Sequence, residues 1–181
     1  MEYDSVDEIV VPDEALDAED IGGLLEDFGD DSGSVKPAEP AEQSADLGSD
    51  WESYTVQIND TVVTLPCTIA DLEAAGVTLD REYTPEDYVV NAGEYELAWF
   101  MNDNGNEIMV DMINNTDGPL ELKDCLVGGI SVSSYDVEDG GLTVLFPGGI
   151  QIGTAEADVF AAYGDPDDKY EDEEYGNTYY W

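Results

Sequence analysis

Apolar and polar residues alternate along much of the second half of this chain, and the alternation predicts strands. Thr55-Val-Gln-Ile58 and Thr61-Val-Val-Thr-Leu65 flank the turn residues Asn59-Asp60, the pattern of two short paired strands. The strongest local signal is Asn104-Gly105, set between residues 94–102 and 107–114. That dipeptide tolerates the positive φ angles of a tight hairpin. Tyr95, Leu97, Trp99 and Met101 share one face of the first of these strands, and Ile108, Val110 and Met112 share one face of the second; both sets are expected in the core. Residues 122–127 read as a further strand, interrupted at Gly128-Gly129, where a bulge or sharp bend is expected, and resumed over 130–137. Glu138-Asp-Gly-Gly141 predicts another hairpin, with 142–146 as its return strand. Residues 77–94 read as loop with one extended piece.

Two short stretches switch from strand to helix periodicity. Thr68 followed by Asp71 is a helix-start pattern, in which the hydroxyl accepts a backbone N–H and the carboxylate reaches back. Ile69 and Leu72 then face inward and Gly76 closes the helix. Further on, Val159, Phe160 and Tyr163 fall on one helical face, with Gly164 and Pro166 as stop signals. Ala70-Asp-Leu-Glu-Ala-Ala-Gly76 echoes Ala157-Asp-Val-Phe-Ala-Ala-Tyr-Gly164 with one residue inserted, and Asp71 and Asp158 lie 87 positions apart (158 − 71). Either a small helix-plus-sheet unit is duplicated, or two capped helices resemble one another by chance. An acidic excursion over 167–177 leads into Thr178-Tyr-Tyr-Trp181, which reads as a strand.

The first 53 residues differ in texture: they carry 18 acidic residues and one lysine. The Pro-, Ala- and Ser-rich stretch 32–46 buries too little apolar surface to offset ordering and reads as a linker. Ahead of it a helix over 12–28 is expected, with Ile21, Leu24, Leu25 and Phe28 as an apolar stripe weakened by Gly22 and Gly23; it is either a partner-binding helix or a transiently helical tether. The expected organisation is thus an acidic, largely disordered tail over 1–53, a helix-plus-sheet unit over 54–147, and a second, incomplete helix-plus-strand unit over 148–181 packed on the first. The fold class is α+β: an antiparallel sheet of four to six strands with two short helices on one face.

Charge changes the functional picture more than it changes the fold. Four Lys and Arg against 45 Asp and Glu leave −41, which repels nucleic acid and anionic membranes. A basic protein partner or a weakly held Ca²⁺ is favoured, although solubility alone also accounts for such a charge. The chain contains no histidine, which removes Ser-His-Asp and Cys-His catalysis and His-based zinc sites. No run of about 18 apolar residues suits a membrane span, and no basic and apolar leader follows Met1. Cys67 and Cys125 are either two reduced thiols or a disulfide; a bridge would close a loop of 58 residues (125 − 67) and contribute roughly 4 kcal/mol on the chain-entropy account.

The segment Gly149-Ile-Gln-Ile-Gly-Thr, the helix with Val-Phe-Ala-Ala-Tyr, then Gly164-Asp-Pro and a Tyr-rich strand resembles the signature of small-lipoprotein (SmpA/OmlA) and β-lactamase-inhibitor-protein-like domains. Leu65-Pro-Cys-Thr-Ile-Ala-Asp-Leu, closing at Gly76, is similar to secreted lipoproteins of Gram-positive gut bacteria. The resemblance implies helices on one face of an antiparallel sheet whose other face binds proteins, no catalytic residues, and an extracellular or surface address. The extreme acidity departs from that pattern. An address in the cytoplasm is expected if the chain is complete.

Candidate chemistry is sparse. Asp165, Asp167 and Asp168, or Asp136, Glu138 and Asp139, are carboxylate groups for Ca²⁺, but neither has EF-hand spacing and both also read as solvated turns. Ser131, Ser133 and Ser134 lie in no nucleophile motif, and no Gly-rich phosphate loop with a lysine occurs. The aromatics Tyr170, Tyr175, Tyr179 and Trp181, with Tyr180, are the candidate partner-binding residues, since Tyr and Trp are enriched where proteins grip one another; Tyr180 or its neighbour is expected to face the sheet's core instead. The expected function is a non-catalytic, secreted or surface-tethered protein-interaction module. The alternatives are an acidic decoy or Ca²⁺ buffer acting through charge, and a carboxylate-based hydrolase, which needs two converging acids of separated pKa.

Overall fold

The structure, a computed structural model, describes residues 42–137, 141–172 and 176–181, all of which belong to one compact unit, Val35–Trp181. The expected helix over 12–28 lies outside the described residues. The fold is α+β, with every strand pair antiparallel. Packing begins ahead of residue 54: Leu47 is fully buried, and the buried Gln57 side chain accepts from the Ser44 amide at 2.7 Å and donates to the Glu42 carbonyl at 2.9 Å. Residues 42–53 therefore belong with the sheet unit rather than with the tail.

β1 (Thr55–Ile58) and β2 (Thr61–Thr64) form the first expected hairpin. The Leu65-Pro66 peptide is cis. α1 (Ile69–Ala74) follows, and its start is the one the sequence predicts. The Thr68 hydroxyl accepts from the Asp71 amide at 3.3 Å, and the Asp71 carboxylate accepts from the Thr68 amide at 2.8 Å. Leu72 is fully buried, with Ala75 and Val77 beside it. β3 (Thr78–Leu79) and β4 (Val89–Val90) are two extended pieces where one was expected.

β5 (Tyr95–Met101) and β6 (Glu107–Ile113) make the long hairpin, but its register overturns one expectation. A two-residue turn at Asn104-Gly105 would set Trp99 opposite Val110. Instead Ala98 faces Val110 and Phe100 faces Ile108. The Asn102 amide donates to the Asn106 carbonyl at 3.0 Å, so the loop has three residues, with Gly105 at φ 85° in the left-handed position such loops require. A slip of one residue moves every side chain to the other face. Ala98, Phe100, Ile108, Val110 and Met112 fill the core, whereas Tyr95, Leu97, Trp99 and Met101, expected inside, form the outer face.

β7 (Leu120–Glu121) pairs with β4, and β8 (Leu126–Ser131) pairs with β6 through a register shift after Asp111. That shift is the bulge expected at Gly128-Gly129. The resulting four-stranded sheet has the order β3-β5-β6-β8. Two further expectations fail. α2 (Ser134–Val137) is helical, not strand; the Asp136 carboxylate accepts from the Ser133 amide at 2.6 Å, repeating the start pattern of α1. The segment after it does not return alongside β8: β9 (Val144–Leu145) joins β1, giving the sheet β2-β1-β9. Asn59 holds this crossing, since its backbone amide donates to the Thr143 carbonyl at 2.8 Å and its side-chain oxygen accepts from the Thr143 amide at 3.3 Å. Buried Leu142 and Val144 drop into the core shared with Val56, Ile58, Leu72 and Phe100.

α3 (Glu156–Tyr163) and the hairpin of β10 (Asp168–Asp172) and β11 (Gly176–Tyr180) complete the chain. α1 and α3 start 87 positions apart (156 − 69), so the sequence echo is kept in the helix register. The last unit is fastened to the first by the Tyr163 hydroxyl, which donates to the Pro147 carbonyl at 2.8 Å.

Candidate functional site

The outer face of the four-stranded sheet presents apolar side chains that the core does not take. Tyr95 is 64% exposed and Leu97 36%; Trp99, Met101, Met109, Ile113 and Leu126 are half-buried. Their common face follows from the register, which sets Tyr95 opposite Ile113, Trp99 opposite Met109 and Leu126 beside Ile113. The two glycines of β8 keep this face low. A Cβ on Gly128 would come 2.7 Å from Ile113, and one on Gly129 would meet the Asp111 carboxylate. Asp111 lies opposite Leu97 and Glu107 opposite Met101, so acids interrupt the apolar surface. Arg81, Lys123 and Lys169 are the basic residues among those described, and glutamates hold all three, at 2.5 Å (Glu86), 2.5 Å (Glu121) and 2.8 Å (Glu171). The protein thus has acid to offer this face and little base to compete for it.

The second surface contains the aromatics the sequence singled out, divided by the pleat. The register pairs Lys169 with Tyr179 and Tyr170 with Thr178, so Tyr179 and Trp181 turn toward α3, whereas Tyr170 and Tyr180 lie on the other face, 61% and 55% exposed. Tyr175 lies outside the described residues. Phe160 meets the Tyr179 ring edge-on at 5.0 Å between centroids and the Trp181 ring, tilted, at 5.8 Å. Tyr163 meets Trp181 edge-on at 5.8 Å. The Trp181 indole N–H donates to the Gly164 carbonyl at 3.0 Å, and the Tyr179 hydroxyl donates to the Glu156 carboxylate. That bond, made to an anion, raises the Tyr179 pKa; burial alone pushes Tyr163 from 10.0 to about 12. Between α3 and β11 lies an open cleft of about 400 Å³, lined by Thr154, Glu156, Val159, Phe160, Asn177, Tyr179 and Trp181.

The remaining candidates carry less. Cys67 and Cys125 are both free thiols and both buried. Burial, with the Asp71 charge adding to it, pushes the Cys67 thiol from 9.0 to about 11, and burial raises Cys125 as well. Such thiols stay protonated near neutral pH and are poor nucleophiles. Among the described residues no three acidic or sulfur side chains converge on a metal-sized space, Asp165, Asp167 and Asp168 included; Glu138 and Asp139 lie outside the described residues. No helix among the described residues is long and apolar enough to cross a membrane.

Sequence reasoning missed the outer sheet face because it assigned those side chains to the core. The signal was present on β6, where Glu107 and Asp111 alternate with Ile108, Val110 and Met112 and mark the side that faces water. Comparisons with protein families, with curated proteins and with solved structures give no match for this chain.

Proposed function

We propose that this chain is a non-catalytic protein-interaction module whose outer sheet face receives a basic, partly apolar segment of another protein. The observation that carries the reading is the row Tyr95, Leu97, Trp99 and Met101, exposed or half-buried on the face opposite the core. Exposed apolar surface set among polar groups in this way marks interaction sites, and Tyr and Trp anchor interfaces with little loss of side-chain freedom. Asp111 and Glu107 within the face, and −41 over the chain, favour a cationic partner by steering and by pairing. The resemblance to small secreted lipoproteins and inhibitor-like domains supports the same surface and an address outside or on the cell. The two free thiols pull against an oxidising compartment, and alkylation of the protein recovered from its native source decides that part.

The test compares capture of partners from cell-surface extracts by the native chain, by Leu97→Ser with Trp99→Ser, and by a variant whose first 40 residues have their acids neutralised. The reading expects capture by the first and the third, and loss by the second at an unchanged melting temperature. Capture that survives the face variant and disappears with the neutralised tail overturns it in favour of function through charge alone.

A further inference from the structure

We infer that the cleft between α3 and β11 is a binding site for an organic cation, the guanidinium or ammonium end of an arginine or lysine side chain or a free quaternary ammonium. It is a different surface from the outer sheet face, so its failure would leave the proposed function standing. Three features lead to it. Phe160, Tyr179 and Trp181 line the cleft together, their ring centroids 5.0–6.1 Å apart, and a cation placed within about 6 Å of an aromatic face is attracted by the ring quadrupole. Glu156 stands on the same wall. One of its carboxylate oxygens accepts from the Tyr179 hydroxyl, which fixes the group in place while its charge remains available.

The third feature is that packing has left these rings accessible. α3 has no fully buried residue, and Val159, Phe160, Tyr163, Tyr179 and Trp181 are each half-buried. A ligand therefore meets aromatic surface already held in position, by edge contacts and by the indole bond to Gly164. The ligand class follows by elimination among charges. An anion meets Glu156 and a strongly acidic protein. A neutral apolar group would strip water from Glu156 without pairing it, which costs free energy. A cation with methylene or methyl shoulders satisfies the carboxylate, the ring faces and Val159 together. Lys169, the nearest resident cation by register, is held by Glu171 at 2.8 Å.

The experiment follows the Trp181 indole N–H by NMR, assigned with Trp181→Phe, while the native chain is titrated in physiological salt. The probes are an acetyl-Gly-Arg-Gly-amide peptide, its citrulline counterpart and tetramethylammonium. The inference expects a saturating shift of the Trp181 signal with the arginine peptide or tetramethylammonium, none with the citrulline peptide, and an unmoved Trp99 indole. The arm that shifts identifies the source as a side chain or a free ammonium. Glu156→Gln keeps an acceptor for Tyr179 and removes the charge, and should weaken binding about tenfold. Trp181→Leu should weaken it roughly threefold. Equal shifts with the citrulline peptide, drifts of all indoles without saturation, or unchanged binding in Glu156→Gln with native circular dichroism would each overturn the site.

Discussion

α1 and α3 begin with nearly the same phrase and end in different surroundings. Around α1 the phrase is overlaid on two sheets: Leu72 is fully buried in a cluster that includes Val56, Ile58, Phe100 and Val144. Around α3 only the two strands β10 and β11 are described beneath the helix, and Val159, at the position equivalent to Leu72, stays half-buried. A capped helix can be written locally, but what it becomes depends on the sheet it meets. With four or more strands the apolar stripe is spent on stability. With two it remains open, as an aromatic cleft.

The sharpest way to break this comparison is to empty both helices. Leu72→Ala leaves a cavity in a full core and should cost about 2–5 kcal/mol. Phe160→Ala removes more atoms from a partly wet site and should cost only about 1 kcal/mol. Denaturant unfolding of the two variants measures both. Equal losses would mean that the last unit is as closed as the first. Next in size is Asn114→Ala. This buried side chain donates to the Val90 carbonyl at 2.9 Å and the Gly118 carbonyl at 2.8 Å, tying the β4–β7 pair to β6, and its oxygen accepts from the Thr116 amide and hydroxyl; loss of these bonds should cost about 1–3 kcal/mol. Among the described residues nothing comparable is buried around α3, where Asn177 is exposed.

The same contrast explains what could be read in advance. α1 was legible because its start depends on neighbours three residues apart, Thr68 and Asp71. The β5–β6 hairpin was legible in its existence but not in its facing. Both sides of β5 are apolar, with Ala98 and Phe100 against Tyr95, Leu97, Trp99 and Met101, so alternation does not choose between them. The choice lies in one extra loop residue, Asp103, and in which set fits beneath α1. The crossing of β9 to β1 was not legible, because it depends on long-range pairing through Asn59. In the last unit Tyr179 and Trp181 were picked out among the candidate aromatics, but their meeting with Phe160 and Glu156 across a cleft needs the helix and the strand placed together. The partner-binding set drawn from the sequence mixed two faces, since Tyr170 points away from Tyr179.

Alkaline titration separates the two regions by their buried acids. The Cys67 thiol is raised from 9.0 to about 11 in the folded chain. Below pH 9 both folded and unfolded forms keep the proton, and the stabilisation is complete. As the pH climbs through 9 the unfolded thiol ionises first, so stability should fall until the pH passes about 11. Cys125 adds to the same slope. Tyr163 acts between 10.0 and about 12, so it extends the loss to higher pH. Denaturation midpoints against pH should lose the lower part of the slope in a Cys67→Ala Cys125→Ala variant and keep the upper part. Alkylation without reductant should label both thiols slowly in the native chain and fast in denaturant; a failure to label after unfolding would establish the disulfide instead.

The finest discrimination lies at the helix starts. Thr68 caps α1 with a reciprocal pair of hydrogen bonds, whereas Ala155, at the equivalent position of α3, supplies no side-chain bond. Thr68→Ala should cost about 1 kcal/mol and Ala155→Ser should gain a few tenths to about 1 kcal/mol, because Ala155 already has the extended backbone that a cap requires. Hydrogen bonds from Thr68 hold the Asp71 pKa below its ordinary 3.8, so the α1 cap is intact above that value and weakens as pH falls through the folded pKa. The cap position of α3 is an alanine and has no such pair to lose, but Ala155→Ser sets a hydroxyl three residues ahead of Asp158, the spacing of Thr68 and Asp71. The gain from Ala155→Ser should therefore be fullest near neutral pH and narrow toward the acid limb, whereas Thr68→Ala should show a flatter approach to that limb. If Ala155→Ser gains nothing while amide exchange in α3 remains fast, the helix is limited by the missing layer beneath it rather than by its ends, which is the stronger form of the contrast between the two units.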